Sequence, residues 1–200
     1  SLLCNEREYI ITPGDILIFN PGDTHSCQQI SEEALDYRCL NIKPDIMKRA
    51  VFEILGTETL PVFSSNVLFH SDLALPLQEL HQMIMEKEHD FQKEEVFFFL
   101  LEQLMRDASD TKPNSPFEEP TAEIKAICDY LEQNYADTIT LEELSAITGL
   151  SKYYLLHCFT RQKGISPYSY LEAVRISKAK QLLGQGETPT DVAFMTGFHD

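Results

Sequence analysis

Apolar residues follow two rhythms along the chain, and the change between them divides it. Up to residue 42 the apolar runs are short and end at turn signals. Tyr9 to Ile11, Ile16 to Phe19, Ser26 to Ile30 and Leu35 to Ile42 read as strands, and Pro13-Gly14 and Pro21-Gly22 bracket the second of them. Proline presets the first turn dihedral there and glycine accepts the positive one. So few short strands leave open edges, so the sheet is expected to be completed by strands preceding Ser1 or by a partner chain.

After Pro44 the period becomes helical. Ile46, Met47, Ala50, Val51, Ile54 and Leu55 recur at helical spacing, with Gly56 as the stop. A bridging strand over Val62 to Phe69 precedes two more amphipathic helices. One is marked by Leu73, Leu77, Leu80, Ile84 and Met85, the other by Val96 to Leu101 with Leu104 and Met105. The run from Val96 to Leu101 is apolar on all sides, which places it in a core or against another subunit. Asp110 to Pro120 holds Pro113, Pro116 and Pro120 and no periodicity, the composition of a linker.

The last part of the chain contains an internal echo. Thr140-Leu-Glu-Glu-Leu-Ser-Ala-Ile-Thr-Gly-Leu150 matches Thr188-Pro-Thr-Asp-Val-Ala-Phe-Met-Thr-Gly-Phe198 in chemical type. In each copy a threonine is followed three residues on by an acid, Glu143 or Asp191, so hydroxyl and carboxylate can each satisfy an otherwise unpaired amide at a helix start. Pro189 suits the first helical position, where its missing N–H costs nothing. Small residues, Ser145 and Ala193, allow a close helix approach, and Gly149 and Gly197 permit a tight turn. Two unrelated helices that each end at glycine are the plainer reading, and the matched second copy argues against it.

Beyond the first turn Ser151 caps a helix from Lys152 to about Lys163. Leu155, Cys158 and Phe159 face inward by periodicity, which leaves Lys152, Tyr153, Leu156, His157, Thr160 and Arg161 facing outward, a mixed surface suited to a major groove. A solvated face is the bland alternative, and it fits Leu156 poorly. After Gly164, Ser166-Pro167 caps a helix from Tyr168 to Leu183. Its Leu171, Val174, Ala179, Leu182 and Leu183 turn inward, while Arg175, Lys178 and Lys180 are placed for support or phosphate contacts.

Charge at first opposes a nucleic-acid partner, because the net charge is -16 and a phosphate backbone needs a positive surface. Its distribution reverses that inference. Residues 1 to 120 hold 9 Lys/Arg against 22 Asp/Glu, whereas residues 121 to 200 hold 7 against 10. From 152 to 180, Lys152, Arg161, Lys163, Arg175, Lys178 and Lys180 face a single acid, Glu172. Ser151, Thr160, Arg161, Lys163, Arg175, Lys178 and Lys180 are therefore the candidates for phosphate contact or support, and Lys152, Tyr153, Leu156 and His157 for base reading.

No run of apolar residues is long enough to span a membrane, and the N-terminus lacks a signal-peptide layout, so a cytoplasmic protein is expected. Cys4, Cys27, Cys39, Cys128 and Cys158 show no zinc or redox spacing. No nucleophile–base–acid spacing and no glycine-rich phosphate loop is present, so no enzyme is expected, and no cofactor.

At residues 141 to 183 and 188 to 200 the sequence resembles the AraC/XylS family of bacterial regulators. Gly149, Leu150, Ser151, Leu155, Phe159, Gly164, Pro167, Tyr170, Arg175, Ala179, Leu182, Leu183, Val192, Ala193, Gly197 and Phe198 all fall on its recurrent pattern. The resemblance implies a seven-helix domain whose first recognition helix is 152 to 163, with Tyr153, Leu156 and His157 at base-facing positions. The second recognition helix would begin just after Phe198, with only His199 and Asp200 of it in this sequence.

Gly14 to His25 resembles a cupin motif of the same family's sensor, with Asn20 in place of a usual proline. The His-x-His motif of catalytic cupins does not occur upstream. His25 alone cannot fix a metal, since zinc wants three or four protein ligands, so no metal site is assigned.

The expected fold is α+β and multidomain. Residues 1–42 would form a partial cupin-like β-barrel that binds an effector, 43–109 a helical dimerisation segment, 110–120 a linker, and 121–200 an all-α tandem helix-turn-helix domain, truncated in its second unit. The expected partners are double-stranded promoter DNA, a small-molecule effector, a second copy of the chain and RNA polymerase, with no membrane. A cupin-type metalloenzyme with a helical appendage and a protein-interaction module are the alternatives. Bound metal would favour the first. Obligate dimerisation without DNA binding would favour the second.

Overall fold

The computed structural model describes residues 1–30, 37–87, 90–109 and 120–198. The linker expected over 110–120 therefore lies almost wholly outside the described residues, as do His199 and Asp200. The chain divides into two compact units, one of Ser1–His89 with Val96–Asn114, the other of Asp90–Glu95 with Ser115–Asp200. The architecture is mixed helix and sheet.

Among the described residues the first unit holds five short strands, β1 (Leu2–Cys4), β2 (Arg7–Tyr9), β3 (Ile16–Leu17), β4 (His25–Cys27) and β5 (Val67–Leu68). They form two small antiparallel sheets, ordered β2-β1-β4 and β3-β5. Leu2 stands opposite Tyr9 on one side and Cys27 on the other. Sequence reasoning misses β1, which holds too few residues for an alternation to show. It also places β2 two residues late and expects a strand over 35–42, of which the described residues 37–42 are irregular.

Helices α1 (Pro44–Leu55), α2 (Ala74–Glu86) and α3 (Asp90–Ala108) follow as the periodicity predicts. Gly56 ends α1 in the left-handed conformation, which glycine alone adopts without penalty. A core of Ile16, Ile18, Leu73, Leu80, Leu100 and Ala108 joins β3 to α2 and α3. Most of the apolar run on α3 is covered, and Phe99 alone of it is exposed.

Asn20 explains how the Pro21-Gly22 turn is held. Its side-chain oxygen accepts the Phe63 N–H at 2.8 Å and its amide donates to the Phe63 carbonyl at 2.9 Å. The Asp23 carboxylate then gathers Asn5, Asn20 and Asn66. The Asn5 hydrogen bond leads the effects that hold Asp23 below its ordinary value.

The second unit is helical apart from its connections: α4 (Thr121–Gln133), α5 (Leu141–Thr148), α6 (Lys152–Lys163), α7 (Pro167–Gly184) and α8 (Pro189–Met195). Ile124, Ile127 and Leu131 of α4, Leu141 and Leu144 of α5, Leu155 and Phe159 of α6 and Leu171 of α7 are fully buried or nearly so. Phe159 meets Tyr170 edge-on at 5.6 Å, a favoured aromatic geometry. The Tyr170 hydroxyl donates to Glu132 at 2.6 Å, which raises its pKa above that of an ordinary phenol. Among the described residues no helix is long and apolar enough to cross a membrane.

Candidate nucleic-acid interface

The α5–turn–α6 unit is assembled by local rules. Thr140 accepts the Glu143 N–H at 3.2 Å and the Glu143 carboxylate accepts the Thr140 N–H at 2.8 Å, a complete capping box. At the other end Gly149 has φ 71° and its N–H bonds the Ser145 carbonyl. The Ser145 hydroxyl donates to the Leu150 carbonyl at 2.6 Å, so the small residue also fastens the turn. Ser151, in extended conformation, then caps α6 by accepting the Tyr154 N–H.

The second copy differs in one detail. Thr188 accepts the Asp191 N–H at 3.3 Å, but the Asp191 carboxylate is met by the Thr188 hydroxyl at 2.6 Å. Aspartate is one methylene shorter than glutamate, and only half of the reciprocal box is made. Gly197 has φ 80°, and a Cβ there would stand 3.0 Å from both the Ala136 carbonyl and the Arg175 guanidinium.

On α6 the inward set is as expected, with Leu155, Cys158 and Phe159 buried. Ser151, Thr160, Arg161 and Lys163 are exposed, and Lys152 and His157 are half-buried. Two expectations about facing need correction: Tyr153 and Leu156 are buried, at 4% and 9% exposure. Tyr153 stacks towards His157 with centroids 6.1 Å apart.

Lys152 is drawn into two ion pairs, with Glu94 at 3.0 Å and with Glu142 at 2.8 Å. Burial depresses its pKa, but the hydrogen bonds to Glu142 and Glu94 and their charges outweigh that and raise it above an ordinary lysine. Periodicity within one helix could not reveal either partner.

Along α7 Lys180 is exposed, and Lys178 stands 5.6 Å above the Tyr135 ring. Arg175 is turned inward instead. Its Nε donates to the Tyr135 carbonyl at 2.7 Å and an Nη donates to the Asp137 carbonyl at 3.0 Å. Burial lowers its pKa. With two of its N–H donors on backbone carbonyls, Arg175 braces α7 against the connection between α4 and α5.

Sequence reasoning also misses Glu95. This residue is 8% exposed and accepts the Tyr168 N–H at 2.7 Å at the start of α7. Burial pushes its carboxyl up to about 7, although hydrogen bonds from Ser166 and Tyr168 oppose the rise. A Glu-Glu pair just before a long apolar run is its only sequence signal. His25, singled out in the first unit, stacks on Phe19 with centroids 3.9 Å apart.

A capped helix, a glycine turn and a second capped helix bearing exposed cations define a helix-turn-helix DNA-binding regulator. Comparison with known proteins agrees. Residues 1–101 match the AraC-like ligand binding domain family and residues 144–200 match the family described as a helix-turn-helix domain. The chain is 54% identical over 199 residues to the uncharacterized HTH-type transcriptional regulator YbfI of Bacillus subtilis (strain 168), covering 100% of this chain and 72% of that protein. It is 27% identical over 210 residues to the HTH-type transcriptional activator RhaS of Klebsiella pneumoniae (strain 342), covering 98% and 72%. No solved structure matches. The chain belongs to the AraC family of transcriptional regulators, with an N-terminal ligand-binding domain and a C-terminal helix-turn-helix domain.

Proposed function

We propose that the chain binds double-stranded promoter DNA through α6, and that a small molecule held by residues 1–42, as a cupin-like barrel, governs this binding. In this reading Lys152, Tyr153, Leu156 and His157 address base edges. Ser151, Thr160, Arg161, Lys163, Lys178 and Lys180 contact or support phosphates, and Arg175 braces the helices that carry them. Residues 43–109 serve as a helical dimerisation segment, 110–120 as a linker and 121–200 as a tandem helix-turn-helix domain. RNA polymerase is a further partner, the site of action is the cytoplasm, and no catalysis is involved.

The exposed residues Ser151, Thr160, Arg161 and Lys163 on α6, directly after the left-handed Gly149 turn, are the observation that carries the reading. α7, with 18 residues, is about 27 Å long at about 1.5 Å per residue, a spacer of the same order as the roughly 34 Å repeat of the duplex along which two reading heads would be set.

The test is selection of bound sequences from a randomised duplex library, with wild type and His157→Ala in parallel. The expected result is one enriched sequence that loses its preference at a single step in the variant. No enrichment by the wild type contradicts the reading, and the same enriched sequence from both removes His157 from it.

A further inference from the structure

The outward stripe of α6 is open at one end and covered at the other. An α-helix turns ~100° per residue, so Lys152, Leu156, Thr160 and Lys163 share one side of α6 with Tyr153, opposite Cys158. Thr160 and Lys163, at the C-terminal end, are exposed. At the N-terminal end Tyr153 is 4% and Leu156 9% exposed, and the Lys152 side chain is 19% exposed. Two elements meet at the covered end: α5, whose Glu142 pairs with Lys152 at 2.8 Å, and a segment from outside the α5–turn–α6 unit.

An acidic segment stands at the covered end. Residues Asp90–Glu95, the start of α3, count with the second unit. Glu94 pairs with Lys152 at 3.0 Å. Its neighbour Glu95 accepts the Tyr168 N–H at 2.7 Å, and the Phe91 ring meets Tyr168 edge-on at 5.8 Å. One short stretch of α3 thus engages the first residue of α6 and the first turn of α7.

We propose that Asp90–Glu95 is a built-in competitor for DNA: Glu94 holds the Lys152 ammonium where a phosphate or base edge would otherwise take it, while Glu95 and Phe91 anchor the segment over the reading face. DNA engages the N-terminal half of α6 only when the segment leaves. This rests on the reading of α6 as the DNA-contacting helix, and it supplies that reading with a regulatory step. The segment belongs by sequence to the ligand-binding part of the chain, so an effector that favours its release raises DNA affinity by shifting the population towards the uncovered form. Glu142 sits on α5 and remains beside Lys152 in either state.

The test measures affinity of the full chain for a mixed-sequence DNA duplex as salt is raised. It compares wild type, Glu94→Gln, Lys152→Ala, the double variant, and Glu102→Gln. The last removes the same charge from a pair with Arg106. Glu94→Gln is expected to bind severalfold tighter, with a log–log salt slope steeper by about 0.9, the signature of one added phosphate contact. Lys152→Ala in that background should return both quantities to the wild-type values, and Glu102→Gln should change neither.

Equal tightening by Glu94→Gln and Glu102→Gln, or a gain that survives Lys152→Ala, overturns the proposal as a bulk charge effect. Weaker binding by Lys152→Ala with no change in Glu94→Gln removes the competitor and leaves the DNA-contact reading standing. No response to any of the variants removes Lys152 from the interface, and the proposal falls with that reading.

Discussion

Arg175 on α7 donates its Nε–H to the Tyr135 carbonyl at 2.7 Å, and so fastens α7 to the connection between α4 and α5. A second bond reaches the Asp137 carbonyl, and the guanidinium lies 6.0 Å from the Phe198 ring centroid beyond α8. One side chain therefore ties the start of the first helix-turn-helix to the turn of its echo. Lysine cannot reproduce a planar fork with two separate donors. Arg175→Lys is expected to destabilise the chain by about 2 kcal/mol, read from urea unfolding followed by circular dichroism.

The two turn glycines differ in how strictly they are required. Gly149 needs only its positive φ, since nothing stands within 4 Å of a Cβ added there, whereas Gly197 combines a positive φ with a backbone carbonyl 3.0 Å away. Gly149→Ala should cost about 1 kcal/mol. Gly197→Ala should cost more, because the Ala136 carbonyl belongs to backbone and cannot swing aside. Thermal unfolding of the two variants side by side checks the order.

The caps invite a matching comparison. Thr140 sits in a complete capping box and Thr188 in half of one. Each threonine-to-alanine change removes an acceptor worth about 1 kcal/mol; in Thr140→Ala the Glu143 carboxylate keeps the backbone N–H of residue 140, whereas Thr188→Ala also removes the hydroxyl that meets the Asp191 carboxylate. The expected order of destabilisation is Thr188→Ala above Thr140→Ala, and Asp191→Glu should stabilise the chain by completing the second box. Unfolding midpoints of the three variants decide it.

Glu95 gives a pH dependence with a definite sign. Burial raises its folded-state pKa to about 7 from 4.5, so across that interval the folded chain keeps a proton that the unfolded chain has lost. This group's contribution to stability therefore falls as pH rises from about 4.5 to about 7 and is level outside that window. The fall is on the order of 3 kcal/mol. Glu95→Gln should flatten it, as measured by urea midpoints on both sides of the window. A pH profile unchanged by the substitution would contradict the assignment.

The sequence makes local structure in the second unit legible because its signals are local. Thr140, Gly149, Ser151 and Ser166 announce caps and turns within a few residues of where they act, and the structure has each of them in that role. The inward set of α6 is readable for the same reason. The sheet is less legible: β3 and β5 are two residues each, too short for a period of two to show, and β5 pairs with β3 across most of the first unit. Tyr153 and Leu156 show the other limit. Helical periodicity assigns them and Lys152 to the outward side, but it carries no record of what distant residues reach, such as the Glu94 carboxylate that meets Lys152 from some sixty positions earlier. The bracing role of Arg175 is hidden for a similar reason, since its carbonyl partners lie forty and thirty-eight positions away.

The most direct measurement on the central claim is affinity cleavage. An iron chelate would be tethered at Thr160→Cys, an exposed position on α6, in the full chain with the exposed Cys27 and Cys39 changed to serine. Bound to the duplex that the library selects, the tether is expected to cut each strand within one short stretch, positioned as a helix in the major groove requires. Cleavage spread evenly along the duplex, or none above background while the protein remains bound, would show that α6 does not lie in the groove.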